Sequence, residues 1–303
     1  MNAVMKKSKE KHESFSVITV IMLVVLCLYA LSMFIVLAWA IMTAFKDNDD
    51  FRLNVIGLPK KLVWNFSYIF KMFRIRVKTP TGAAYATMGM MYVNSVLYAV
   101  GCAFFKVMVT CITAYMCARF PYKFSKVVYT TVIVAMVMPI VGALPSEISM
   151  AQTLGIYDTV WGMWIMKSNF LGMYFLVFYN VFKTFSTGYV EAAKVDGASN
   201  MRVLIQIVMP LVMNTIFTVL IIDFIIYWND YQAPLIYMPS HPTISYGAFR
   251  LIFNSKDATG GNNLSTMPYR MTIAILMVLP IMVVFLAFHK RLLGNLTVGG
   301  LKG

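Results

Sequence analysis

Charge is scarce in this chain: only 13% of its 303 residues are Asp, Glu, Lys or Arg, where soluble domains carry about 25%. Acids are scarcer still, 12 against 26 basic residues, for a net charge of +14. Cysteine is limited to Cys27, Cys102, Cys111 and Cys117, with no CxxC pair, which excludes a disulfide framework and a zinc-ribbon pattern. His12, His241 and His289 are too scattered to form a metal site by spacing. No G-x-x-x-x-G-K-[ST] phosphate loop, HExxH or GxSxG occurs, and no paired acidic motif lies within an apolar run, so no catalytic residue is assigned. Asp47, Asp49 and Asp50 read as a loop rather than a metal site.

What the chain has instead is apolar length. Hydrophobic residues make up 60% of it, and the mean hydropathy is +0.73. Val17 to Phe45 run without a charge, longer than the roughly 7 to 15 apolar residues of a cleaved signal, so this is a retained span. Further apolar runs cover Met88 to Met116, Val127 to Ile148, Val160 to Phe182, Val203 to Trp228 and Met271 to Phe288. Each approaches the length of about 20 residues that crosses a bilayer core. The expected fold is an all-α, polytopic membrane protein of six transmembrane helices. Its parts are a tail over 1–16, a first helix over 17–45, a loop over 46–87, a five-helix core over 88–291 and a tail over 292–303.

Six spans put both termini on one side, and placing them in the cytoplasm leaves 13 basic residues inside against ten in the outer loops. That margin is small because Arg52, Lys60, Lys61, Lys71, Arg74, Arg76 and Lys78 crowd the first outer loop, against the positive-inside rule. The basic residues fall between apolar blocks rather than on one face, which argues against a nucleic-acid partner and for the bilayer. Trp64, Phe66, Tyr68, Ile69, Phe70 and Phe73 are interleaved with those charges; an interfacial amphipathic helix and a small extracellular cap both fit that pattern. Pro139 and Pro145 in the third span and Pro210 early in the fifth read either as kinks beside a cavity or as simple curvature.

Between the fourth and fifth spans the chain reads Tyr189-Val190-Glu191-Ala192-Ala193-Lys194-Val195-Asp196-Gly197-Ala198-Ser199-Asn200, then Ile207-Val208-Met209-Pro210. An acid in the first turn suits the dipole of a short helix, and Gly197 can end it. This segment, within 189–210, resembles the EAA loop of ATP-binding cassette importer permeases: EAA, three residues, Gly, nine residues, I-x-L-P, with Met209 in place of the usual Leu. The resemblance implies that Glu191, Ala192, Ala193, Asp196, Gly197, Ala198, Ile207 and Pro210 couple the chain to an ATPase subunit. It also places the loop in the cytoplasm.

Over roughly residues 90 to 303 the chain is similar to carbohydrate-importing permeases of the maltose and multiple-sugar type. The likeness is carried by Asn94-Ser95, Tyr115, Ala118-Arg119-Phe120, Met138-Pro139, Leu154-Gly155-Ile156-Tyr157-Asp158-Thr159, Asp196-Gly197-Ala198-Ser199, Trp228-Asn229, Pro234-Leu235 and Gly299-Gly300-Leu301-Lys302-Gly303. The basic first loop and Lys106 depart from that pattern. Asp223, Tyr227 and Asp230 share one helix face, with Asn229 and Tyr231 near its end. Carboxylates and amides pair with sugar hydroxyls, and an aromatic ring can cover a sugar's apolar face. Cargo contact and internal pairing are both open to these groups, because Lys106, Lys167, Glu147 and Asp223 all fall at or near membrane depth. Asn169 and Phe170 are similar in position to pore-lining residues of the family.

The resemblance implies a second, non-identical permease, two ATP-binding cassette subunits that bind ATP and magnesium, and an extracytoplasmic solute-binding protein, in a bacterial inner membrane. It also implies that the tail bearing Gly299, Gly300 and Lys302 contacts the ATPase subunits; a frayed chain end is the other reading. An importer for a peptide or polyol is the alternative cargo class.

Overall fold

The computed structural model describes residues 17–79, 82–120, 122–138, 142–184, 188–253 and 264–296. Tail 1–16, Pro139 and the tail residues Gly299, Gly300 and Lys302 lie outside these. In chain order come α1 (Val17–Ala44), α2 (Asn48–Leu53), α3 (Asn65–Met72), a hairpin of β1 (Arg74–Thr79) and β2 (Gly82–Thr87), then α4 (Met88–Arg119). There follow α5 (Lys123–Val137), α6 (Leu144–Thr153), α7 (Val160–Lys167), α8 (Met173–Thr184), α9 (Gly188–Val195) and α10 (Asn200–Val203). The last are α11 (Met209–Asn229), α12 (Gln232–Tyr237), α13 (Ile244–Phe253) and α14 (Met267–Leu296).

Four described helical stretches are long and apolar enough to cross a membrane: Val17–Ala44, Met88–Arg119, Asn200–Asn229 and Met267–His289. The first is apolar all round and exposed along almost its whole length, as a helix solvated by lipid must be. At its end the chain turns sharply into polar company. Lys46 is buried with its Nζ 2.7 Å from the Asn54 carbonyl, and Asn65 Nδ2 donates to the carbonyls of Ala44 and Lys46 at 2.8 Å each. The described residues between α1 and α4 thus form two short helices, the second spanning the aromatic stretch, and a hairpin. Ile69, Phe73, Ile75 and Val77 bury the apolar side of this segment in the core.

The expected spans over 127–148 and 160–182 are each divided. The first becomes α5 and α6, with Pro145 in the opening turn of α6, where its missing N–H costs nothing. The second breaks between α7 and α8, where Gly172 takes a φ of 145° that a side chain would resist. The fifth stays continuous but not uniform. Leu204–Val208 form a π-helical turn directly before α11, which has Pro210 in its opening turn. The wider i→i+5 pattern accommodates a proline that cannot donate to the preceding turn.

Helix α4 is the frame of the molecule. It is 32 residues long without a proline, about 48 Å at 1.5 Å per residue. Two apolar clusters are stacked along it. One, at the hairpin end, gathers Met88, Met91, Tyr98, Ala99, Cys102 and Ala103 with Phe224, Trp228, Ile244 and Ile273. The other gathers Val107, Cys111, Ala114 and Tyr115 with Phe175, Phe178, Phe182, Val208, Val212 and Ile216. The cationic hairpin and the 188–203 loop therefore stand at opposite ends of one long helix.

Candidate functional site

The loop predicted to couple is a helix, a stop and a second helix start, each with its own local cause. Glu191 lies in the first turn of α9, where its charge favours the helix dipole. The stop is a Schellman turn. Gly197 has φ 78°, its N–H donates to the Lys194 carbonyl at 3.0 Å, and the Ala198 N–H donates to the Ala193 carbonyl at 2.9 Å. Ser199 then caps α10, its hydroxyl accepting from the Arg202 N–H at 3.3 Å. Asp196 and Ala192 present themselves to solvent, Ala193 and Ala198 are half-buried, and Ile207 is half-buried in the π-turn beside exposed Pro210. Val195 and Met201 are apolar yet 87% and 64% exposed, so the loop carries uncovered apolar surface.

The polar stripe on α11 faces α4. Asp223 is fully buried, and its Oδ1 lies 2.8 Å from Lys106 Nζ. The ammonium also sits over the rings of Tyr227 and Tyr174, at 5.5 Å and 5.9 Å from their centroids. One turn on, Tyr98 donates to Asp230 Oδ2 at 2.8 Å and meets Tyr227 edge to face, while the other Asp230 oxygen accepts from the Ala233 N–H. The pair lies between Ala103 and Val107 on α4 and between Val219 and Phe224 on α11, at the seam of the two apolar clusters. Asn229 turns away from this network and lines a cavity of about 350 Å³ with Tyr231, Phe249 and Arg270, where Tyr231 and Phe249 stack at 4.3 Å. Asn169 and Phe170 occupy the joint between α7 and α8; the Asn169 carbonyl accepts from Thr110, and Phe170 packs 6.3 Å from Phe175.

With that geometry in place, comparison with known proteins is decisive. The family profile described as "binding-protein-dependent transport system inner membrane component" matches residues 106–296, more than half of the chain. The chain belongs to that family. It is the multi-pass membrane component of a transporter. This permease is 24% identical to the melibiose/raffinose/stachyose import permease protein MelC of Bacillus subtilis over 96% of its own length and 98% of that protein. It is 21% identical to the diacetylchitobiose uptake system permease protein NgcG of Streptomyces coelicolor, over 90% and 86%. A crystal structure of a bacterial ABC transporter involved in import of the acidic polysaccharide alginate superposes with a TM-score of 0.72 at 17% identity. It covers 95% of this chain and 99% of that one, which establishes a common fold.

Several other residues that carried the family resemblance hold the permease together at the hairpin end. Asn94 Nδ2 donates to the Pro242 carbonyl at 3.1 Å, and Ser95 Oγ accepts from the Ile244 N–H at 2.8 Å, so α4 fixes the turn before α13. In the 154–159 segment Gly155 and Asp158 take positive φ, 66° and 57°. Asp158 N–H donates to the Tyr237 carbonyl at 2.8 Å, its Oδ1 accepts from the Ser240 N–H at 2.9 Å, and Tyr157 donates to the Ile236 carbonyl at 3.1 Å. Burial and the Asp158 charge raise the Tyr157 phenol above its ordinary pKa, which keeps it a donor. Thr159 then caps α7.

Some partners were not visible in the sequence. Glu147 accepts from the Tyr237 hydroxyl rather than pairing with a lysine. Tyr98, Phe249 and Arg270 carried no motif, and each acquires its place only when distant helices meet. Among the described residues no group of three His, Cys, Asp or Glu side chains converges on a metal position.

Proposed function

We propose that this permease is one half of the membrane channel of an ATP-driven importer for sugars or oligosaccharides, with both termini and the 188–203 loop in the cytoplasm. The observation that carries the reading is the capped helix–turn–helix over 188–203. It matches the EAA spacing, and its Val195 and Met201 are exposed. Water disfavours such apolar exposure unless a partner covers it, and the chain has no phosphate loop of its own. The partner is an ATP-binding cassette subunit that binds ATP and magnesium; two of these, a second and different permease and an extracytoplasmic solute-binding protein complete the assembly. Residues 299–303 are proposed to reach the same ATPase face.

The two full-length relatives are named for import of melibiose, raffinose and stachyose and for uptake of diacetylchitobiose, which supports a saccharide cargo. Asn229, Tyr231 and Phe249 supply an amide and stacked rings suited to a sugar at the 350 Å³ cavity. Asp223, Tyr227 and Asp230 act on the path by holding α4 against α11. Cargo crosses unchanged, by alternating access driven from the loop end. The test is ATP-dependent uptake of a saccharide panel by the complete complex in proteoliposomes. Saccharide accumulation that vanishes without ATP is expected; uptake confined to peptides would refute the cargo class.

A further inference from the structure

Residues 51–146 contain no Asp or Glu, yet Arg52, Lys60, Lys61, Lys71, Arg74, Arg76 and Lys78 all fall within them. On β1 the strand alternation sorts these charges. Ile75 and Val77 are buried, whereas Arg74, Arg76 and Lys78 stand on the opposite, exposed face. Same-face neighbours on a strand lie about 6.6 Å apart, so the three cations repel one another along the row. The pairing sets Tyr85 opposite Arg76 and Ala83 opposite Lys78, which brings no carboxylate to neutralise them. Seven basic residues on what the topology makes an outer segment also weaken the orientation signal. Such a row is unfavourable to the free protein in two ways, and an anion would relieve the repulsion.

Two of the three, Arg76 and Lys78, border a cavity. A space of about 590 Å³ is lined by Arg76, Val77, Lys78 and Ala83 of the hairpin and by Pro239, Tyr246 and Arg250. Cations thus converge from two separate elements, β1 and α13. The hairpin is fixed to this site by Ser240, whose hydroxyl donates to the Lys78 carbonyl. Asp158 is already bonded to the Ser240 N–H and lies 3.7 Å from His241. The volume falls within the 300 to 1,000 Å³ typical of small-molecule sites, and concavity favours a small ligand over the flat face of a protein. Guanidinium groups hold carboxylate and phosphate oxygens by paired, charge-assisted hydrogen bonds.

We propose that this cavity is an anion site that receives an acidic saccharide, with Arg76, Lys78 and Arg250 on its carboxylate or phosphate oxygens. The proposal rests on the reading of the chain as a sugar-importer permease and narrows its cargo to anionic members. The test uses the complete importer in nanodiscs, titrated calorimetrically with a uronate trisaccharide, a sugar phosphate and a neutral trisaccharide. Acidic ligands should bind, the stronger of the two identifying the anion. Their affinity should fall about tenfold in the Arg76→Gln/Lys78→Gln double variant, the loss expected when charge-assisted contacts are removed. Ala83→Glu, which keeps every cation but sets a carboxylate opposite Lys78, should weaken them as well. Both variants lie on an exposed strand face, and an unchanged melting temperature confirms folding. Equal affinity for neutral and acidic ligands overturns the site, as does equal loss of neutral and acidic uptake, which would make the row a docking face for the solute-binding protein. Binding abolished by anionic phospholipid in the nanodisc assigns the cavity to headgroups and also overturns it. The two readings fail separately: uptake of neutral sugars with no anion binding removes the site alone, whereas anion binding with no saccharide uptake removes sugar import alone.

Discussion

Lys106 and Asp223 are 117 residues apart in the chain and 2.8 Å apart in space, and they join α4 to α11 at the level where the two apolar clusters meet. Asp223 is the more committed partner, its side chain 1% exposed against 23% for Lys106. Breaking a buried pair leaves the remaining charge without compensation, whereas replacing both members with apolar groups can be nearly neutral. Asp223→Asn should therefore destabilise the permease by about 3 kcal/mol, and Lys106→Met/Asp223→Leu should recover most of that, measured as thermal midpoints in detergent. Saccharide uptake per folded complex separates packing from cargo contact. If the double variant transports normally, the pair is a fastener; if a well-folded double variant loses uptake, Asp223 touches cargo.

Gly197 holds φ 78° at the end of α9. Gly197→Val places a β-branched side chain in that left-handed position, at a local cost of about 1 to 2 kcal/mol, and should reorient α9 relative to α10. The expected phenotype is ATPase activity no longer coupled to uptake while the permease remains in the membrane. Wild-type coupling in this variant would show that the turn geometry is not used.

Val195 is 87% exposed. Val195→Asp should leave the stability within about 0.5 kcal/mol of wild type, as surface substitutions usually do, while reducing co-purification of the ATPase subunit. Unaltered co-purification would move the interface elsewhere.

A Cβ on Gly101 would lie 2.0 Å from the Trp164 Nε1, which donates to the Leu97 carbonyl at 2.9 Å. Small residues let helices approach closely in membranes. Gly101→Leu should push α7 off α4 and cost about 1 to 3 kcal/mol as overpacking, with Trp164 fluorescence shifting to report its displacement. An unshifted spectrum would mean that the contact relaxes without consequence.

Asp158 combines a strained φ of 57° with bonds to the Ser240 N–H and, through its backbone, to Tyr237. Asp158→Ala loses the side-chain bond and keeps the strain, so it should cost about 1 to 2 kcal/mol. Asp158→Asn should cost less, since Asn tolerates this backbone and can still accept. Equal losses in the two variants would argue that the carboxylate charge, not its hydrogen bond, is what counts.

Much of this was legible in the residues because bilayer and helix-terminus chemistry act locally. The charge-free run from Val17, the Pro-free run from Met88 and the Glu191 to Gly197 spacing each carry their own cause. The breaks in the middle spans were less legible. Lys167-Ser168-Asn169 and Gly172 mark the α7–α8 joint, but the apolar residues on both sides continue the pattern across it. The hairpin is signalled by the alternation Arg74-Ile75-Arg76-Val77-Lys78, whereas the aromatics around it left an amphipathic helix and a small cap both open. Least legible were the pairings of Lys106 with Asp223 and Tyr98 with Asp230, which exist only because α4 and α11 pack together; a single sequence records the charges, not who meets whom.

Helix α4 gives the permease a stiff lever. The chain breaks between α7 and α8 and widens to a π-turn before α11, whereas α4 runs unbroken from the cationic hairpin to the 188–203 end. A tilt of 5° about the Lys106 level would carry each end of a 48 Å rod by about 2 Å in opposite directions. Displacements of 1 to 2 Å are enough to switch packed interfaces. A displacement at the 188–203 loop can therefore be felt at the cation row without any chemical signal passing between them, provided the fulcrum holds.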